Sequence, residues 1–92
     1  VSEVASSFWL RQNYPNPFNP VTTIRFSIPN REYVTLKVFD MLGREVRTLV
    51  NEQLKAGTYE VDFDGSNLPS GVYYYKLESG SFKETKKMVL IK

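Results

Sequence analysis

Apolar and polar residues alternate along most of this chain with a period of two, the signature of strands that bury one face and wet the other. Within Val21 to Ile28, Thr22, Ile24, Phe26 and Ile28 fall on one side and Thr23, Arg25 and Ser27 on the other. Val34, Leu36 and Val38 alternate with Thr35 and Lys37, and Tyr59, Val61 and Phe63 alternate with Glu60, Asp62 and Asp64. Tyr73, Tyr75 and Leu77 continue the pattern. Turn signals separate the runs at intervals of roughly 8 to 12 residues, the spacing of an all-β sandwich or barrel. They are Pro29-Asn30, Asp40-Met41-Leu42-Gly43, Lys55-Ala56-Gly57, Leu68-Pro69-Ser70-Gly71 and Ser79-Gly80. With a short first strand near Phe8 to Gln12, seven strands are expected. The predicted core is Ile24, Phe26, Leu36, Val38, Val61, Phe63, Tyr75 and Leu77.

One segment carries a different period. Leu42, Val46, Leu49 and Val50 stand at i, i+4, i+7 and i+8, a helical stripe. Gly43 and the β-branched Val46, Thr48 and Val50 weaken a helix there, and an Asp-x-x-Gly turn suits a hairpin, so the segment is read as strand.

At 92 residues the chain is one small module, and its 41% hydrophobic content supplies a core. Val1 to Ser7 are mostly small and polar and read as the tail of a linker, with the domain running from Phe8 to Lys92. The start at Val1 rather than Met is read as a piece of a longer precursor. The longest apolar runs, Val72 to Tyr75 and Met88 to Ile91, fall far short of the roughly 20 residues of a membrane helix. A net charge of +2 makes nucleic acid an unexpected partner. The basic excess is local: Lys76 to Lys92 holds five Lys against Glu78 and Glu84, whereas the rest of the chain has seven basic and eight acidic groups.

Chemistry is scarce. With no Cys and no His, the chain lacks thiolate nucleophiles and the commonest general base and metal ligand. No catalytic motif, phosphate-binding Gly loop or cofactor site is expected. Asp62-Phe63-Asp64-Gly65-Ser66-Asn67 begins like a calcium loop, but Asn67 stands where an EF-hand needs Gly and Tyr73 where it needs Glu. Trp9, Tyr14, Tyr33, Phe39 and Tyr74 fall outside the inward sets. They are read as half-covered edge aromatics, or as faces that stack on sugar rings or on a partner's apolar patch.

Two features stand out. Asn13 to Pro20 packs three prolines and three asparagines into eight residues, a stiff loop in which Phe18 is a candidate plug. Lys86-Lys87-Met88-Val89-Leu90-Ile91-Lys92 is apolar on both faces between flanking lysines. Either that strand is central, or it offers one face to a partner as an added strand. Met88 and Leu90 share one face and Val89 and Ile91 the other, and periodicity does not say which is inward.

These residues carry a resemblance. FWLRQNYPNPFNP (Phe8 to Pro20) followed by VTTIRFSIP, then VTLKVFDMLGREVRTLV, LKAGTYEVDFDGSNLPSGVYYYKLESG and the terminal KKMVLIK resemble, in order and spacing, the type A C-terminal sorting domain of the type IX (Por) secretion system of the Bacteroidetes. That fold is also similar to the immunoglobulin-like domain of the flagellar hook-assembly scaffold. The resemblance implies an all-β, seven-stranded immunoglobulin-like antiparallel sandwich that acts as a non-catalytic address label on an upstream cargo. It implies as partners the outer-membrane type IX translocon and a sortase-like peptidase. The route it implies is through the periplasm to the cell surface or medium, with cleavage upstream of about Phe8. The recognition residues it implies are Pro15, Asn16, Pro17, Phe18, Asn19 and Pro20, then Gly71 and Tyr73 in the Gly71-Val72-Tyr73 segment. The last are Lys86, Lys87, Met88, Val89, Leu90, Ile91 and Lys92.

Independently of it, Leu68-Pro69-Ser70-Gly71-Val72-Tyr73 looks like a sandwich corner in which a tyrosine hydroxyl bonds backbone just upstream, which would make Tyr73 structural. Two other readings are a carbohydrate-binding sandwich on a secreted hydrolase, stacking sugars on Trp9, Tyr33, Phe39 or Tyr74, and a passive spacer.

Overall fold

The alternating runs become strands, and the turn signals fall between them. The computed structural model describes residues 7–92. Seven strands follow in order: β1 (Trp9–Leu10), β2 (Val21–Ile28), β3 (Glu32–Phe39), β4 (Glu45–Leu54), β5 (Gly57–Asp64), β6 (Gly71–Ser79) and β7 (Phe82–Leu90). They form two antiparallel sheets, ordered β1-β2-β5 and β4-β3-β6-β7, so the expected all-β sandwich is present. The linker expected over residues 1–7 lies outside the described residues except for Ser7, whose carbonyl accepts the Ser27 hydroxyl at 2.9 Å. No helix long and apolar enough to cross a membrane occurs among the described residues.

The inward faces meet as the alternation requires. Ile24, Phe26, Leu36, Val38, Phe63, Tyr75 and Leu77 are all fully buried. Val61 is the exception among the expected core positions. It is only partly buried, on β5, which has no strand beyond it among the described residues. Ser27, on the face expected to be wet, is buried because Trp9 pairs with it and Ser7 covers its hydroxyl.

The segment with helical spacing is strand β4, and its period has a structural cause. Two register shifts interrupt its pairing with β3, between Leu36 and Lys37 and between Val38 and Phe39. Each inserts an extra residue and moves the alternation out of phase. Val46, Leu49 and Val50 thereby all pack against the core, while Leu42 lies out in the turn.

Strand β7 is an edge strand, not a central one. Its inner face carries Met88 and Leu90, at most 1% exposed, whereas Ile91 just beyond its end is 50% exposed. The pair left undecided by periodicity is thereby assigned: Met88 and Leu90 hold the sandwich, and Val89 and Ile91 face out.

Candidate recognition surface

The stiff loop between β1 and β2 is built by its asparagines. The Asn13 side chain is buried and donates from Nδ2 to the Thr22 hydroxyl at 3.0 Å and to the Pro15 carbonyl at 3.2 Å. Thr22 donates its own hydroxyl to the same carbonyl at 2.8 Å. Tyr14 and Thr23 exchange backbone hydrogen bonds at 3.0 Å each, which continues the sheet into the loop. Pro15, Pro17 and Pro20 each follow a cis peptide bond. Phe18 is the expected plug: it is 2% exposed and meets Phe63 edge-on, with ring centroids 5.9 Å apart.

The same loop closes the outer edge of β7. Phe18 donates its N–H to the Val89 carbonyl and accepts from the Ile91 N–H, both at 2.9 Å. Asn16 Oδ1 accepts the Val89 N–H at 3.0 Å, and Gln12 Nε2 donates to the Lys87 carbonyl at 2.7 Å. An edge strand normally presents such groups to any passing chain. Here four of them, from Lys87 to Ile91, are already satisfied within the domain. Strand addition by Lys86 to Lys92, expected from the sequence, is therefore blocked over that stretch, and what remains for a partner is side-chain surface.

The corner before β6 completes this end of the sandwich. Gly71, Val72 and Tyr73 pair with Leu90, Val89 and Met88. The Tyr73 hydroxyl donates to the Pro69 carbonyl at 2.7 Å, the corner geometry expected from the sequence. Burial pushes its pKa up. The Lys92 N–H donates to the Ser70 hydroxyl at 3.0 Å, and its ammonium donates to the Ser66 carbonyl at 2.5 Å. Gly65 lies against this junction, where a Cβ would come within 3.0 Å of Leu90 Cδ2.

The structure thus gathers the Pro15 to Pro20 loop, Gly71 to Tyr73 and Lys86 to Lys92 at one end, although they are far apart in sequence. It also divides them. Phe18, Tyr73, Met88 and Leu90 are buried and hold the fold, while Pro15, Asn16, Pro17, Asn19, Lys87, Ile91 and Lys92 are exposed. Pro20, Gly71, Val72, Lys86 and Val89 are half-buried. Gln12 and Ser70 position this surface without having been singled out, whereas Asn13 was marked as part of the stiff loop. For Gln12 the signal was the density of amide side chains beside prolines that cannot donate, and for Ser70 its place in a Pro-Ser-Gly turn.

The two aspartates at the end of β5 make local hydrogen bonds. Asp64 accepts from the Ser66 hydroxyl and, at 2.9 Å, from its N–H, and these bonds hold its carboxyl below the ordinary range. Asp62 accepts from Thr23 at 2.9 Å. Among the described residues no group of three or more Asp and Glu converges as a metal site would require. Trp9 lies in the three-stranded sheet under the Arg11 guanidinium, 4.5 Å from its ring centre. Phe39 and Tyr74 are cross-strand neighbours on the other sheet. Tyr33 stands six residues from Phe39 along β3, roughly 20 Å at strand rise.

The sequence profile of a family described as "Secretion system C-terminal sorting domain" matches residues 12–92. Among solved structures, a chain from a study of PorZ is similar over 99% of this chain, with a TM-score of 0.61 at 22% identity. PorZ is described there as an essential bacterial surface component of the type-IX secretion system of the human oral-microbiomic Porphyromonas gingivalis. The match spans 13% of that chain, and at this identity it shows the shared fold. No match was found among curated proteins.

Proposed function

The chain belongs to the secretion-system C-terminal sorting domain family, and from that premise we propose that the end of the sandwich described above is the face its secretion machinery reads. The domain is a secretion sorting signal, and its destination is the cell surface or the extracellular space. In the proposed route, an upstream cargo enters the periplasm and this folded domain engages outer-membrane proteins of the type IX translocon. A sortase-like peptidase then removes it, upstream of about Phe8. No catalytic role is assigned to the domain itself: the groups with displaced pKa values, such as Asp64 and Tyr73, are engaged in turns and corners.

The observation that carries this reading is the convergence of three distant segments on one end, with the loop hydrogen-bonded along β7. Such a surface exists only in the folded domain. The arrangement also divides labour among neighbours in sequence. Phe18, Met88 and Leu90 set the backbone positions, and Pro17, Asn19 and Ile91 present the readable surface.

The test is a reporter carrying a signal peptide and this domain at its C-terminus, expressed in a type IX secreting host. Surface arrival should depend on the domain. A doubly substituted form, Asn19→Lys with Ile91→Asp, alters exposed residues and should melt as the parent does, yet remain in the periplasm. Equal export with and without the domain would sink the sorting role. Full export of the doubly substituted form would sink this choice of surface while leaving sorting intact.

A further inference from the structure

The turn joining β3 to β4 presents two consecutive large apolar residues to solvent, Met41 at 69% and Leu42 at 77% exposure. It is not a loose turn. Asp40 Oδ1 accepts the N–H groups of Leu42 at 2.9 Å and Arg44 at 3.0 Å, and Oδ2 accepts Arg44 Nε at 2.8 Å. Gly43 donates its N–H to the Asp40 carbonyl at 3.0 Å from a left-handed φ of 83° that only glycine adopts easily. Met41 and Leu42 are therefore held out on a fixed backbone, so that binding through them costs little ordering entropy.

Met41, together with Asp40, lines two depressions. One, of about 370 Å³, lies toward the β5–β6 corner and is lined by Val46, Leu68 and Val72 among others. The other, of about 260 Å³, lies on the outer face of the four-stranded sheet and is lined by Phe39, Tyr74, Lys76 and Thr85. Val72 pairs with Val89, so the apolar ground continues toward β7. Isolated exposed apolar residues are ordinary on a protein surface, but a fixed contiguous group of them marks an interaction site.

The charge around this ground is mixed with a positive excess, and Asp40, which lines both depressions, is paired with Arg44 at 2.8 Å. By strand alternation the outer face carries Lys37, Lys76, Lys83 and Lys87 against Glu45 and Glu78. Lys37 pairs with Glu45 at 3.5 Å, while Lys76 and Lys83 share Glu78 at 3.8 and 3.7 Å. Lys87, across from Tyr74, has no ion-pair partner among the described residues. The Lys76 ammonium stands 5.8 Å over the Phe39 ring, at the edge of the second depression.

We infer, on the premise that the domain is a sorting signal, that the Met41–Leu42 turn and this face dock an acidic, apolar segment of a protein partner. Apolar side chains of that segment enter the two depressions that Met41 lines, and its carboxylates meet Lys76 and Lys87. A basic segment is rejected by the same lysines, because like charge brought to an interface rim costs binding.

The test places a photo-crosslinking residue at Met41 in the reporter fusion, with the same residue at Glu60 on the opposite sheet as control. The Met41 position should capture a protein through a peptide rich in apolar and acidic residues, and the Glu60 position should not. Lys87→Glu should lower the adduct about fivefold, the factor corresponding to about 1 kcal/mol, and Lys87→Arg should keep it. Capture of lipid, of a second copy of the chain or of a basic segment would overturn the inference, as would export at full rate with no adduct at Met41. If the fusion is not exported at all, the sorting premise fails separately. The docking chemistry is then judged on the purified chain by NMR titration with an alternating Leu–Glu peptide and its Leu–Lys counterpart. Methyl shifts at Met41 and Leu42 with the Leu–Glu peptide alone support it, and any other pattern refutes it.

Discussion

Replacing Tyr73 by Phe removes one hydroxyl and leaves the ring in place, so it separates a structural tyrosine from a recognised one. Tyr73 is 4% exposed, and its hydroxyl makes a single hydrogen bond, 2.7 Å to the Pro69 carbonyl. Pro69 is itself exposed, so water replaces the lost donor and no buried acceptor is orphaned. The cost is then that of one neutral hydrogen bond, about 1 kcal/mol. In a domain of this size it lowers the melting temperature by about 4–8 °C. A small domain with about 5 kcal/mol of stability that loses about 1 remains folded by roughly a thousand to one. Tyr73→Ala also removes the ring, costs about 3–5 kcal/mol for the cavity alone, and reaches the scale of the whole stability. Urea titration of both variants, paired with the reporter export assay, gives the comparison. Tyr73→Phe should be slightly less stable and fully exported, and Tyr73→Ala should lose export as it loses fold. A Tyr73→Phe protein that stays folded but is no longer exported would refute the structural assignment, because the hydroxyl would then be read directly.

Tyr75 predicts an alkaline dependence. Burial pushes its pKa from 10.0 up to about 12, and its hydroxyl accepts from the Asn13 N–H at 2.8 Å and donates to the Arg11 carbonyl at 2.7 Å. Because the folded state holds this proton more tightly, its stabilisation is complete below pH 10 and declines between about 10 and about 12, by about 1.4 kcal/mol per pH unit. The stability difference between the parent and Tyr75→Phe, measured across that range, should shrink as pH rises; a constant difference would show that Tyr75 ionises normally. Deleting Lys87 to Lys92 should unfold the domain rather than disarm it, since Met88 and Leu90 are fully buried and each side chain is worth about 2–5 kcal/mol. Circular dichroism of the truncated chain checks this, and a native melt would overturn it.

Much of the fold was legible because a strand's faces are written in its sequence with a period of two. Ile24, Phe26, Leu36 and Val38 had to point one way whatever they met, and Asp40 to Gly43 or Pro69 to Gly71 could only turn. The corner hydrogen bond of Tyr73 is similarly local, spanning four residues. Where the pattern failed, the cause lay in pairing. The bulges of β4 gave a strand the spacing of a helix, and Val61 is only partly buried on β5, which has no strand beyond it among the described residues.

What the tertiary structure alone decided is which strands are neighbours and which groups close the edges. Backbone hydrogen bonds are alike at every residue, so periodicity marks a face without naming its partner. That β4 lies beside β3, that β7 is an edge, and that Val89 and Ile91 therefore look outward follow from the strand order. The bonds from Gln12 and Asn16 to β7 join residues 75 and 73 positions apart, and no local pattern encodes such a contact. The loop, the corner and the last strand were each visible in the sequence. Their meeting at one end depended on the packing of the two sheets, which brought them within hydrogen-bonding distance.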